Sequence, residues 1–316
     1  MAEIGKDIIR AKDLLEAGEV IGLPTETVYG LAANALDPEA VAKIFEIKNR
    51  PTFDPLIIHT DSIEKVKDWV ESIPLDLELM FKKFSPGPIT LLLPRKPVIP
   101  DLVTSGLPRV AVRIPRHPIA LDLLSQLEFP LAAPSANPFG YISPTSALHV
   151  NQQLGDRISY ILDGGSCEVG LESTIVGFED NQLTVYRKGG VAIEKIEEYF
   201  GPVEVKEHSS SNPSAPGMLK SHYAPNKEVK FLDDSGKGLR KKIGLLRFSE
   251  VDTGLSEENQ FILSNTKNLN EAAQRLFEGL RYLDGLDIET IYLELVPDIG
   301  IGRAINDRLR RAAAQG

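Results

Sequence analysis

Short apolar runs alternate with amphipathic stretches for about the first 200 residues, and then the alternation stops. This pattern predicts an α/β layered domain. Strands are expected at 20–23, 56–59, 89–93, 110–114, 131–133, 158–162, 174–178 and 183–187. Helices are expected at 8–17, 38–47, 63–70, 77–84, 119–127 and 193–200. Asp37 followed by Pro38 is an N-cap with proline in the first turn, and Gly201 ends the last helix. The last two strands flank the polar tetrapeptide 179–182, which suits an antiparallel hairpin, so the sheet is predicted to be mixed.

From Pro202 to about Pro225 the apolar period is lost in a run that includes Ser209, Ser210, Ser211, Asn212, Pro213 and Ser214. Such turn and linker chemistry marks a boundary. Beyond it, strands are expected at 229–232, 243–248, 261–263 and 291–295 and helices at 270–283 and 301–313, a small Rossmann-like α/β domain. A chain of 316 residues is long for one core, which supports domains at 1–201 and 228–316 with a linker at 202–227.

A net charge of −10 disfavours a broad basic face for nucleic acid, so any anion site must be focused. The N-terminus lacks a signal-peptide pattern, and no apolar run approaches the roughly 20 residues of a membrane span, so a cytoplasmic setting is expected. The single cysteine, Cys167, reads as a small packing residue. No P-loop, dinucleotide glycine motif, nucleophile elbow or zinc-peptidase motif occurs.

What stands out is polar material at strand ends, where open α/β sheets bind ligands. The segment 23–31 packs Thr25, Glu26, Thr27 and Tyr29 after an apolar strand, poor core material that is expected to line a pocket. Lys48 and Arg50 lie at a helix-to-strand junction before Pro51; on a regular extended segment they would point apart, so both reach one ligand only if the junction twists. Arg113 interrupts an apolar strand and needs an anion, with a structural carboxylate and a substrate equally good candidates. Ser135 and Asn137 follow a small-residue strand end, and Ser173, Thr174 and Arg187 bracket the hairpin. Taken singly, each has an equally good reading as local structure.

Taken in order, these pieces resemble the threonylcarbamoyl-AMP synthases of the Sua5/YrdC group. The matching stretches are 24–31, Lys48-Asn49-Arg50-Pro51, 55–59, 85–90, 112–115, Pro134-Ser135-Ala136-Asn137 and Ser173-Thr174-Ile175, with Pro216-Gly217-Met218 and His222-Tyr223-Ala224-Pro225 matching the two-domain Sua5 form. The resemblance implies a YrdC-like catalytic domain with a Sua5 C-terminal domain. It also implies condensation of L-threonine, hydrogencarbonate and ATP, with magnesium arriving on ATP. The product would feed the downstream tRNA threonylcarbamoyl transferase machinery, with a weak contact to tRNA itself. By matching position, Lys48 and Arg50 are the catalytic cations. Thr27, His59, Arg113 and Ser173 are implied for threonine, and Lys48, Arg50, Asp54, Arg109, Ala133, Ser135, Ser143, Arg187 and Tyr223 for ATP. Asp54 stands where asparagine is expected in many relatives, and a carboxylate there repels phosphate unless it meets magnesium or Lys48. Tyr223 is expected to cap the site if the linker folds back. Two other readings of the cationic cleft are an RNA-binding module and a carbamoyl transferase of the hydrogenase-maturation kind; the acidic charge and the lone cysteine count against them.

Overall fold

The computed structural model describes residues 1–180, 182–206, 213, 215–218, 222–232 and 242–314. Residue 181 of the expected hairpin turn and linker residues 207–212, 214 and 219–221 lie outside that set.

The strands of the larger sheet are, along the chain, β1 (Glu3–Gly5), β2 (Ile21–Leu23), β3 (Gly30–Asn34), β4 (Ile57–His59), β5 (Ile89–Pro94), β6 (Arg109–Arg113), β7 (Leu131–Ala132), β8 (Tyr160–Leu162), β9 (Thr174–Glu179), β10 (Gln182–Arg187) and β11 (Glu204–Val205). In space they run β1-β8-β2-β3-β7-β4-β6-β5-β9-β10-β11. Pairings are mixed: β4 with β6 and β5 with β9 are parallel, whereas β2 with β3, β5 with β6 and β9 with β10 are antiparallel. Helices α1 (Ile8–Glu16), α2 (Pro38–Lys48), α3 (Ile63–Trp69), α4 (Leu75–Phe84), α5 (Asp101–Thr104), α6 (Pro118–Ser125), α7 (Ala147–Leu154) and α8 (Ile193–Phe200) cover it. Residues of α1 and α6 share one core with Ile21, Leu23 and Leu131, while residues of α2, α4 and α7 share another with Leu91, Val112 and Ile58.

Five elements of the larger domain, β1, β3, β11, α5 and α7, had no counterpart in the sequence reading, and two of them are instructive. Strand β3, Gly-Leu-Ala-Ala-Asn, has no β-branched residue and forms because β2 and β7 flank it. Helix α7 carried a readable signal, since Ser146 caps it by accepting from the His149 amide and Ala147, Val150 and Leu154 form its buried stripe.

The smaller sheet is wholly parallel, with β12 (Glu228–Phe231), β13 (Ile243–Arg247), β14 (Gln260–Ile262) and β15 (Thr290–Leu293) ordered β12-β15-β13-β14. Helices α9 (Leu269–Asp284) and α10 (Gly302–Ala312) accompany it. Its core merges with the first domain, because Val28, Ile142, Leu171 and Tyr223 pack into the same cluster as Phe277, Ile305 and Leu309. The linker lies against the larger sheet, where Ala215 and Met218 pack on Ile57, Ala111, Ile175 and Tyr186. Side chains two apart on a strand share a face, so His59 and Arg113 project on that linker-covered side as Ile57 and Ala111 do.

Asp284 joins the halves. Its carboxylate accepts from the Tyr141 hydroxyl at 2.6 Å, from the Asn226 amide at 2.9 Å and from the Lys227 amide at 3.2 Å. Hydrogen bonds to a charged acceptor contribute about 1.5–3 kcal/mol each at the upper end of the usual range. Asp284→Ala should therefore lower stability by about 2 kcal/mol, read as an earlier urea midpoint; an unchanged midpoint would show that the carboxylate is only solvated.

Candidate active site

Helix α2 delivers the first cations. Asp37 caps it by accepting from the Glu39 amide at 2.9 Å, and its buried face is Ala40, Val41, Ile44, Phe45 and Lys48. The helix ends at Asn49 in the left-handed conformation (φ 50°, ψ 40°), and this supplies the twist that the spacing of Lys48 and Arg50 required. Lys48 Nζ donates to the Ser135 carbonyl at 2.5 Å and to the Asn137 carbonyl. It thus braces the Ser135 turn from behind and does not itself line the cleft. Arg50 donates from Nε to the Asp54 carbonyl (3.0 Å) and from Nη2 to the Pro55 carbonyl (2.9 Å), and pairs with Asp54 Oδ2 at 2.8 Å.

That pair corrects the placement of Asp54. Its carboxylate is fully buried against Arg50, with Oδ1 accepting from the Gly217 amide at 3.4 Å, and it does not line the cleft, although its charge is felt by Lys48. Arg109 also departs from expectation. It stands at the opposite end of β6 from Arg113, donating to the Phe178 carbonyl and the Tyr186 hydroxyl at 2.9 Å, outside the cleft. Ser143 is buried one layer behind the cleft wall, where its hydroxyl donates to Glu172 Oε1 at 2.7 Å.

The walls of the cleft come from segments far apart in sequence: Thr27, Arg50, His59, Arg113, Ala133, Ser135, Ser173, Arg187 and Tyr223 all line it. Parallel pairing sets His59 opposite Arg113 in register. Arg113 Nη2 lies 2.7 Å from Glu26 Oε2, both buried, so its structural anion is Glu26, a residue the sequence reading had not assigned. A β-bulge between Val185 and Arg187 turns Arg187 inward. There its Nε donates to the Ser173 carbonyl and Nη2 to the Ser173 hydroxyl, each at 3.0 Å, while that hydroxyl meets Thr90 Oγ1 at 2.7 Å. Thr25 and Thr27 hydroxyls lie 2.8 Å apart. Tyr29, by contrast, points away: its phenol donates to the Gly165 carbonyl at 2.7 Å and accepts from the Gly164 amide. Gly30 sits where a Cβ would meet the Ala133 side chain at 3.1 Å, so glycine is what lets these strands close on the cleft floor.

His222 and Tyr223 close the cleft, and Tyr223 adopts φ +66°. Their rings meet edge to face at 4.2 Å, and Tyr223 stacks on Phe277 at 5.5 Å. The sequence reading quoted His222 without assigning it and did not single out Glu172, whose carboxylate also lines the cleft.

Burial governs the protonation states. It pushes the Lys48 ammonium well below its ordinary value, with Arg50 adding repulsion, and lowers Arg187 to about 10. Burial, then Arg113, brings His59 down to about 3, and burial brings His149 to about 4; His222 falls well below 6.5 through burial and then Arg311. His59 is therefore a neutral ring with an unpartnered Nδ1 buried among the described residues.

A family model described as "Telomere recombination" and covering Sua5, YciO and YrdC matches residues 13–189. A second, described as "Threonylcarbamoyl-AMP synthase, C-terminal domain", matches residues 191–314. The fold and cleft define a two-domain α/β protein whose cleft is lined by three buried arginines. The chain belongs to the Sua5/YrdC family, in its two-domain Sua5 form. It is similar to a threonylcarbamoyl-AMP synthase of Pyrococcus abyssi, 40% identical with 96% of this chain and 93% of that protein covered, and to one of Bacillus subtilis, 38% identical with 97% and 92% covered. Among solved structures it is similar to P. abyssi Sua5 complexed with L-threonine, at TM-score 0.90 and 37% identity, covering 99% of this chain and 97% of that one.

Because these histidines are neutral when folded and take up protons only when unfolded below 6.5, the unfolded state binds more protons in that window. Stability should fall as pH drops from about 6.5 towards 4, each such group contributing up to about 1.4 kcal/mol per pH unit. Thermal melts at pH 7 and pH 5 should show the decline, and His59→Gln should make it shallower; a variant slope equal to wild type would contradict the burial of a neutral His59.

Proposed function

We propose that this chain is an L-threonylcarbamoyladenylate synthase, a nucleotidyltransferase that condenses L-threonine, hydrogencarbonate and ATP to threonylcarbamoyl-AMP and pyrophosphate. That is the first step of N6-threonylcarbamoyladenosine formation in tRNA. The observation that carries the reading is the meeting of Arg50, Arg113 and Arg187, from three distant segments, around one cleft beside the neutral His59. The similar P. abyssi protein was solved with L-threonine, which fits an amino-acid niche here.

Arg113, held by Glu26, is assigned to the threonine carboxylate, and Thr27, the His59 ring and Ser173 to its ammonium and hydroxyl groups. Arg50, Arg187, Ser135, the Ala133 backbone and Tyr223 are assigned to the nucleotide. Lys48 adds positive potential from behind Ser135. The threonine ammonium gives up a proton to water, and the amine combines with hydrogencarbonate to give the carbamate and water; a carbamate oxygen then attacks the α-phosphorus and pyrophosphate leaves. Negative charge develops on phosphate oxygens, and guanidinium groups already fixed by carbonyls and carboxylates stabilise it without reorganising. Positioning supplies the rest, while the His222-Tyr223 closure shields the labile carbamate from water. Magnesium would enter as the ATP complex and offset phosphate charge; Asp54 and Glu172 are already paired with Arg50 and Arg308. The product would pass to tRNA threonylcarbamoyl transferase machinery, a cytoplasmic partner. Contact with tRNA itself would be weak, given the acidic net charge. Among the described residues no helix is long and apolar enough to cross a membrane.

Arg50→Ala alone would strand the buried Asp54 carboxylate, so the informative variant is Arg50→Met with Asp54→Asn. It should fold and lose about a hundredfold or more of threonine- and bicarbonate-dependent pyrophosphate release, the usual cost of deleting one transition-state donor. Mass spectrometry of the product, with each substrate omitted in turn, identifies the reaction; wild-type turnover by the double variant would remove Arg50 from it.

A further inference from the structure

One wall of the cleft is held from outside the catalytic domain. Glu172 lines the cleft, only 6% exposed, and its two oxygens have different partners. Oε1 accepts from the Ser143 hydroxyl at 2.7 Å; Oε2 accepts from Arg308 Nε at 2.9 Å. Arg308 belongs to α10 of the C-terminal domain and has no exposed side-chain surface. Its Nη2 donates to the Lys188 carbonyl at 2.9 Å, next to Arg187, and its Nη1 donates to Asp307 at 2.6 Å. The guanidinium also lies 5.1 Å from the Tyr223 ring centroid, so one side chain touches the cleft wall and its closure together. From α9, Arg281 grips the same wall, donating to the carbonyls of Ser143 (3.3 Å) and Ile142.

We propose that the C-terminal domain completes the active site, with Arg308 as a positioning residue that fixes Glu172 and, through it, Ser143, Ser173 and the Arg187 segment in their ATP-binding arrangement. This rests on the proposed synthase reading and gives the second domain a task within it. A carboxylate at this depth loses its hydration, and it stays in place as an anion only while a fixed cation is hydrogen-bonded to it. Burial opposes ionisation of Glu172, yet its carboxyl is held below the ordinary range, with Arg308 first among the opposing charges and Arg187 next. Without Arg308, neither Glu172 nor the Lys188 carbonyl beside Arg187 is held, and the wall that carries Ser173 and Arg187 loses its tie to the second domain. Arg308 touches no substrate in this account.

The test uses the full chain as wild type, Arg308→Met, Arg308→Lys and the double variant Arg308→Met/Glu172→Gln, with three readouts: melting temperature, kcat/KM for ATP and the calorimetric Kd for ATP. Arg308→Met should lower kcat/KM for ATP at least tenfold and weaken ATP binding comparably; Arg308→Lys, which keeps the charge but loses the fork, should fall between. The double variant removes both buried charges, so its melting temperature should return towards wild type while kcat/KM stays low. A purely structural tie would move the two together, and activity recovering along with the melting temperature would overturn the proposal, as would wild-type kcat/KM in Arg308→Met. If Arg308→Met does not fold, the double variant decides alone. Wild-type protein that binds ATP but makes no threonylcarbamoyl-AMP would overturn the reaction assigned above; the positioning role would then stand or fall on the ATP Kd.

Discussion

Four guanidinium groups buried around one cleft are the constraint on which the rest of this structure depends. Arg50, Arg113, Arg187 and Arg308 are each less than a tenth exposed, and a buried charge without partners would unfold the region. Each therefore has fixed partners: an ion pair with Asp54 and the Asp54 and Pro55 carbonyls for Arg50, an ion pair with Glu26 for Arg113, the Ser173 carbonyl and hydroxyl for Arg187, and Glu172, Asp307 and the Lys188 carbonyl for Arg308. Most of these acceptors are supplied by neighbouring turns and strands, so the sheet order, the Asn49 twist and the bulge before Arg187 all serve to bring partners to cations. The result is a cleft whose guanidinium groups are desolvated and held in fixed orientations by the protein's own partners.

This arrangement also explains why the two domains share a core. Glu172 needs a cation, and the one hydrogen-bonded to it comes from α10. Tyr223, 1% exposed, needs apolar and cationic neighbours, and it finds Phe277, Arg308 and Arg311 in the second domain. Separating the halves would expose apolar surface and leave carboxylate and guanidinium groups without partners, so the interface is an extension of the site.

Much of this was legible in the sequence. Apolar periodicity gave most strands and helices of both domains, the mixed sheet followed from the polar turn at 179–182, and the distributed motifs pointed to the family. Other features depend on three-dimensional facts that spacing does not encode. The sequence showed that Lys48 and Arg50 needed a twist but not that Asn49 supplies it, nor that Lys48 ends up behind Ser135. Two anions were equally plausible for Arg113, and Glu26 is the one present. Tyr29 looked like a lining group because buried phenols need partners, but its partner is the backbone at Gly164 and Gly165. Arg308 gave no signal at all: in a helix reading Gly302-Arg-Ala-Ile-Asn-Asp-Arg-Leu-Arg-Arg-Ala312, charges look like a solvated face, and only the fold shows that Asn306, Asp307, Arg308 and Arg311 are buried.

The most direct measurement is a crystal structure of the full chain with L-threonine and a non-hydrolysable ATP analogue. The expected result has the threonine carboxylate within hydrogen-bond distance of Arg113, the hydroxyl or ammonium near His59 and Thr27, and the phosphates between Arg50 and Arg187 beneath Tyr223. Ligands bound elsewhere, or phosphates contacting none of these guanidinium groups, would contradict the account.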